Sequence, residues 1–365
     1  TTMTTTFRPC HPAAAACLLL LAARAANASP APQSPGPDVD PDAPAVLETI
    51  VVTADRERSF GADLVQAGTF RNARLLDTPL TVNVIPRDVL DAQAAQGLYD
   101  ALRNTGGVTR AQLNGATYDN LAIRGILVEN RANYRLNGSL PVINLIEQPL
   151  ENKERIEVLK GASSLYYGFV PPSGIVNMVT KRAGSTPVSD VNLSANQFGG
   201  WNVHGDVARR FGPDDQFGLR VNAAGGDVDI GVDNFSGSRT FGSAALDWRA
   251  ARDLSFKLDV EHIRKNVSEP AAISLLPAVN GNIPLPPVPA NTRNLAGEWQ
   301  KYDADATNVL GRVDYALSDR WGVLFEAGRA ETNRDRNFSQ FQNYNLATGA
   351  GTLRVFFQRG QAYVN

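Results

Sequence analysis

The second half of this chain alternates. Phe217-Gly218-Leu219-Arg220-Val221-Asn222-Ala223 sets apolar side chains against small or polar ones, and Leu254–Glu261 (LSFKLDVE) does so without a break. Val309–Leu317 repeats the pattern and Trp321–Ala327 follows it more loosely. A period of two puts one class of side chain on each face of a strand. Two architectures satisfy that pattern: a soluble sandwich whose polar face meets water, and a membrane barrel whose apolar face meets lipid while the polar face lines the lumen. Connection lengths choose between them. Tight turns fall at Gly212–Gln216, Ala250–Asp253 and Ser318–Arg320, and long polar or Pro-rich loops at Gly226–Arg239, Val267–Gln300 and Asp335–Gly351. Strict exchange of short and long connections is the habit of a barrel with brief turns at one rim and extended loops at the other. Phe211, Phe217, Trp248, Tyr315 and Trp321 all flank the short turns. An aromatic girdle at a membrane interface takes that position, whereas a sandwich would use the same rings as core.

Composition supports a turn-rich β protein, with 31 Gly, 22 Pro and only 20% charged residues. The net charge of -2 gives no basic surface for nucleic acid. No apolar run reaches the ~18 residues of a membrane-spanning helix, which leaves a barrel open. Residues 1–28 carry Arg8, an Ala/Leu core around Ala13–Ala23 and a small-x-small site at Ala26-Asn27-Ala28, the layout of a secretory leader. Both cysteines, Cys10 and Cys17, lie in that leader, so cleavage would leave no thiol to mispair in an oxidising periplasm. Residues 29–46 (SPAPQSPGPDVDPDAPAV) are too poor in apolar surface to order themselves and read as a flexible linker. The composition then changes to Leu47-Glu48-Thr49-Ile50-Val51-Val52-Thr53-Ala54, a β-prone island on a leash. An extended segment of this kind suits strand addition to a partner's sheet edge.

Residues 70–182 mix short strands and helices in an α+β pattern. Thr78–Pro86 alternates and stops at Pro; Asp88–Gly97 and Leu98–Arg103 read as short helices, the second halted by Asn104-Thr105-Gly106-Gly107. Leu121–Gly125 is a strand, and Asn137-Gly138 suits a type I′ hairpin turn. The stretch Glu154–Thr180 (ERIEVLKGASSLYYGFVPPSGIVNMVT) is a glycine-cornered β unit. This stretch, with Ile123-Arg124-Gly125, resembles the plug domain of TonB-dependent outer-membrane receptors, whose pattern runs ERIEVLKGP-(A/S)-x-x-YG-x-x-x-x-GG-x-(V/I)-N-x-(V/I)-T. Ala162 stands where the family usually has Pro, Ser173-Gly174 where it has two glycines, and Asn137 where it has an acidic residue.

The fold class expected from the resemblance is a small α+β plug domain at 70–182, followed at 188–365 by the first strands of a transmembrane antiparallel β-barrel. About eight strands are counted from Asp190, against about 22 in a full plugged receptor. The resemblance implies that Glu48, Thr49, Ile50, Val51, Val52, Thr53 and Ala54 form the TonB box grasped by a periplasmic energy-transducing protein. Only residues 29–46 separate leader and box, so transport without the family's extra signalling arm is expected. It also implies that Arg124 and Arg155 lock plug to barrel through glutamates, expected beyond residue 365. Apical segments Asn114–Tyr118 and Arg131–Tyr134 are ligand candidates, with Tyr118, Arg131 and Tyr134 offering groups that suit an anionic chelate. The implied cargo is a ferric siderophore, with no cofactor and no resident metal, in the outer membrane of a Gram-negative bacterium. Cobalamin, haem or an oligosaccharide as cargo, a passive porin, and a soluble β enzyme are the alternatives. Catalysis has little to stand on: His11, His204 and His262 are the only histidines and form no metal-ligand or nucleophile–base spacing.

Overall fold

The computed structural model describes residues 64–66, 73–112, 117–161, 167–168, 170–274, 276–288, 290–318 and 320–365. The expected leader, linker and box at 47–54 lie outside the described residues, as do 113–116 and 162–166.

The first strands are brief: β1 (Leu64–Val65) pairs antiparallel with β2 (Ala73–Arg74). Strand β3 (Val82–Pro86) ends on a proline and turns directly into α1 (Arg87–Ala92), where Arg87 Nε donates to Asp91 one turn on at 2.9 Å. That helix stops earlier than the expected Gly97, because Ala94 takes a left-handed backbone with φ 47°. Helix α2 (Leu98–Leu102) buries Leu98, Ala101 and Leu102, which share a face at the i, i+3, i+4 spacing. Next come β4 (Val108–Gln112), β5 (Asn120–Ile123) and β6 (Ile126–Leu127), a three-stranded antiparallel sheet. A hairpin of β7 (Tyr134–Leu136) and β8 (Leu140–Pro141) turns at Asn137 (φ 51°) and Gly138 (φ 84°), the two positive values that a type I′ turn needs. Strands β9 (Lys153–Lys160) and β10 (Gly174–Thr180) complete a second sheet in the order β3-β9-β10-β7-β8, with β10 parallel to β7. At Gly174 (φ 123°) a Cβ would lie 2.2 Å from the Leu159 carbonyl oxygen, so the corner between β9 and β10 admits no side chain. The core is conventional: Leu90, Leu102, Leu121, Ile123, Leu136, Ile156, Val158 and Met178 pack together away from solvent.

The rest is one large sheet of long strands: β11 (Val188–Ala195), β12 (Trp201–Phe211), β13 (Phe217–Asp227), β14 (Gly237–Arg249) and β15 (Leu254–Val267). It continues, after the two-residue β16 (Ala272–Ile273), through β17 (Tyr302–Ser318), β18 (Trp321–Gln342) and β19 (Thr352–Val364). Every long strand pairs antiparallel with its sequence neighbour, and only β16 joins parallel, against the far end of β18. Short turns fall where the sequence places them. The third long loop is shorter than expected, because β18 runs on to Gln342 and stays paired with β19 as far as Thr352. Its polar residues from 335 onward hide the alternation without preventing the ladder.

This sheet is inverted relative to a soluble one. Val207, Leu219, Val221, Leu246, Trp248, Leu258, Tyr315, Val323 and Phe325 are exposed on one face. Phe211, Phe217, Trp248 and Phe256 form a single register row beside the short turns, stacked at 5.4, 5.8 and 5.0 Å between neighbours. Towards the long loops the exposed side turns polar, with ion pairs Arg264–Asp303 and Arg329–Glu331. Its other face is covered by the α+β layer.

Candidate functional site

The covered face carries a charged seam. Asp206, Asn222, Ser243, Glu261 and Asn308 are register partners in sequence across β12, β13, β14, β15 and β17, and so form one transverse row. Lys153, the first residue of β9, is fully buried against it, with Nζ 2.5 Å from Glu261 Oε2 and 2.8 Å from Asn152 Oδ1. Asn152 and Asn308 each donate a further hydrogen bond to Glu261, both at 2.9 Å. Lys181, just past β10, reaches Asp206 at 3.0 Å, and Arg220 grips the same carboxylate with two nitrogens at 2.9 and 2.7 Å. Arg182 donates to Asp247 at 3.2 Å and, closely, to Asp259. Asp259 also accepts from Asn137 Nδ2 at 3.0 Å and from the Thr180 hydroxyl at 2.9 Å.

Nearer the long loops the signs exchange. Arg239 and Lys265 are direct register partners on β14 and β15 and face Glu147 and Glu151 of the α+β layer. Arg239 holds Glu151 through two nitrogens at 2.5 and 2.9 Å and Glu147 at 2.9 Å, while Lys265 pairs with Glu147. Alongside, Ile146 packs with Phe235, Phe241, Ile263 and Tyr302, and the Tyr302 hydroxyl donates to the Leu145 carbonyl. Burial by itself would raise the Glu151 pKa; the Arg239 charge and its hydrogen bonds outweigh burial and hold it down at about 2. A different balance holds at Asp119, where burial prevails over the Tyr99 amide and Arg110 and raises the carboxyl above its usual value. Buried ion pairs of this kind add little net stability over a well-packed apolar contact, but removing one partner strands a buried charge. They therefore fix position more than they add affinity.

The expected site residues are placed unevenly. Arg155 Nε donates at 2.8 Å to Glu157 two residues along β9, and Arg124 is exposed in the left-handed turn after β5. Among the described residues, the plug-side cations paired with carboxylates of 188–365 include Lys153, Lys181 and Arg182. Tyr134 is a correction: it has no accessible surface and is part of the apolar core, so its ring cannot meet a ligand here. Tyr118 is half-buried against the Ile146–Phe241–Tyr302 cluster at the seam's outer end, and Arg131 is exposed beside Glu129. The seam residues escaped the sequence reading. The available signal was a pair of carboxylates at successive positions of the polar face, Asp259 and Glu261, set between Lys257 and Lys265 on the same face. Among the described residues no group of His, Cys, Asp and Glu is placed to hold a metal ion.

Residues 74–175 match the family model described as TonB-dependent Receptor Plug Domain. The chain carries a plug domain of the kind found in TonB-dependent receptors. The Ferrichrome receptor FcuA of Yersinia enterocolitica is 29% identical over 265 residues, covering 69% of this chain and 33% of that protein. The Ferrichrome outer membrane transporter/phage receptor of Escherichia coli is 30% identical over 164 residues, covering 40% of this chain and 22% of that one. The chain thus spans a third or less of these relatives' length. Among solved structures, BauA, the ferric preacinetobactin receptor from Acinetobacter baumannii, superposes with a TM-score of 0.71 at 23% identity, covering 81% of this chain and 44% of that one. At that identity the likeness establishes the fold: a plug followed by strands of a barrel-like sheet. The seam is accordingly the joint between plug and barrel wall.

Proposed function

We propose that this chain belongs to a receptor that takes ferric siderophores across the outer membrane of a Gram-negative bacterium, driven by a TonB-type periplasmic protein. The observation that carries the reading is a plug keyed by buried ion pairs to the polar face of a sheet whose other face is apolar and exposed. A sheet built this way has its non-polar side in lipid and its polar side around a filled lumen. The relatives' names, ferrichrome receptor among them, supply the cargo class. Tyr118 and Arg131 remain cargo candidates, and the structure adds a cationic–aromatic ladder at the long-loop end of the wall. There Arg336 lies 4.4 Å over Phe338, Phe338 stacks on Phe356 at 4.8 Å, and Arg354 lies 4.8 Å over Phe356. The box at Glu48–Ala54 supplies the segment to be pulled, and Arg124 and Arg155 remain candidate contacts to further barrel strands. Binding by itself cannot drive uphill transport, so the partner is required.

The test is uptake of labelled ferric siderophores by a strain deleted for the complete gene, with and without a proton ionophore. Loss of uptake of one ferric chelate, restored by the gene and abolished by the ionophore, is expected. Restored uptake that ignores the ionophore would indicate a passive pore, and unchanged uptake of every ferric chelate alongside a defect in cobalamin, haem or oligosaccharide would replace the cargo.

A further inference from the structure

Glu157 is a carboxylate with no accessible surface in the middle of the plug sheet. Both of its oxygens accept the backbone N–H of Gln66, at 2.9 and 3.0 Å. Arg155 Nε and Asn177 Nδ2 also donate to it, at 2.8 and 2.9 Å. Gln66 closes the first described segment of the plug, Leu64–Gln66, whose β-pairing amounts to the two residues of β1. On its other side that segment lies against the Asn137-Gly138 turn, where a Cβ at Gly138 (φ 84°) would sit 2.6 Å from the Gln66 carbonyl oxygen. The same turn continues the network. Gly138 N–H donates to Asn177 Oδ1 at 2.7 Å, and the Asn137 amide bridges Thr180 of β10 and Asp259 of the barrel wall, each at 3.0 Å. Hydrogen bonds therefore run unbroken from Gln66 through Glu157, Asn177 and the turn to β15.

We propose that Glu157 is the latch which tension on the N-terminal side of the plug must open, and that Asn177, Gly138 and Asn137 tie this latch to the barrel at Asp259. This rests on the reading that a periplasmic partner pulls from residues before Leu64. Covalent connectivity sends any such pull through Leu64–Gln66 before it reaches the plug sheet. A carboxylate suits the role because a charge-assisted hydrogen bond is strong when closed. When Gln66 leaves, Arg155 and Asn177 still satisfy Glu157, so the full penalty of a stranded buried charge is never incurred and the latch can close again. A turn with a residue larger than Gly at 138 could not seat the strand it holds.

The test is amide hydrogen exchange on the full-length receptor, read on the peptide spanning Leu64–Gln66 and on peptides from β9 and β10. Glu157→Gln keeps the shape, removes the charge and should speed exchange at Gln66 by roughly tenfold or more, the scale of one charge-assisted bond. Protection in β9 and β10 should be unchanged. Asn137→Gly keeps the left-handed turn while deleting the side-chain link; it touches neither Gln66 nor Glu157, yet should speed Gln66 exchange by about threefold through the network. Unchanged Gln66 exchange in Glu157→Gln, or equal loss of protection throughout β9 and β10, would overturn the latch. Unchanged exchange in Asn137→Gly would overturn the tie to the barrel. The readout is an amide of this chain and needs no cargo, so it is decided separately from the uptake reading.

Discussion

The plug and the wall obey opposite rules. In the plug, Leu90, Leu102, Ile123, Ile156 and Met178 are inside, as in any water-soluble domain. In the wall, Leu258, Val221 and Phe325 are outside while Asp206, Asp259, Glu261 and Lys265 are buried. A single chain thus carries two solvents in its pattern, and the seam is where the charged interior of one meets the shell of the other. Hydrophobicity therefore decides which sheet face meets the plug, and charge decides where along it the plug sits.

The contrast breaks most severely at Glu261. Glu261→Ala leaves Lys153 buried without its counter-charge, and a loss of about 3–5 kcal/mol is expected, read as a lower denaturant midpoint for the plug in the assembled receptor. Replacing both partners by methionine should recover most of that loss; a double variant as unstable as the single one would argue against an ion-pair origin. Next comes the outer face. Leu258→Arg should cost about 2–4 kcal/mol if that face meets lipid, with less folded receptor in the outer-membrane fraction. In a water-facing sheet the same change would be nearly silent, so this variant separates the two solvents. Acidification should then loosen the seam at Glu151. Its folded pKa is depressed, so the stability it contributes is present above about pH 4.5 and is lost as the pH falls towards about 2. Tryptophan fluorescence of the receptor across that window, against Glu151→Gln as the insensitive control, checks the sign.

Two smaller changes sharpen the picture. Asn137→Asp restores the family's usual acidic residue but sets a second carboxylate against Asp259, now 3.0 Å from the Asn137 amide nitrogen. A cost of about 1–3 kcal/mol is expected, relieved at low pH. Arg264→Ala, in an exposed pair on the outer face, should shift the same midpoint by less than about 1 kcal/mol.

Much of the fold was legible because its signals are local. Period-two alternation gave the wall strands, Pro86 closed β3, and Asn137-Gly138 announced its own turn. The sequence overextends helix α1 because nothing in Gln93-Ala94 advertises a left-handed backbone. The seam was not legible because its partners lie far apart in sequence. Lys153 and Glu261 are separated by 108 residues, and no strand-by-strand reading pairs them. Tyr134 misleads for a related reason: an aromatic ring in a Gly- and Asn-rich stretch reads as exposed, whereas β10 pairs alongside it.

The exchange of signs along the seam has a consequence for assembly. Turned end for end, the plug would bring Glu147 and Glu151 towards Asp247 and Asp259, and Lys153 and Arg182 towards Lys265 and Arg239. The ion pairs that Glu147, Glu151, Lys153 and Arg182 make across the seam would be lost, and like charges would face one another in several of their places. Orientation is thus encoded twice, once by the covalent strap at 181–187 and once by charge. A plug threaded backwards is therefore disfavoured by charge as well as by connectivity.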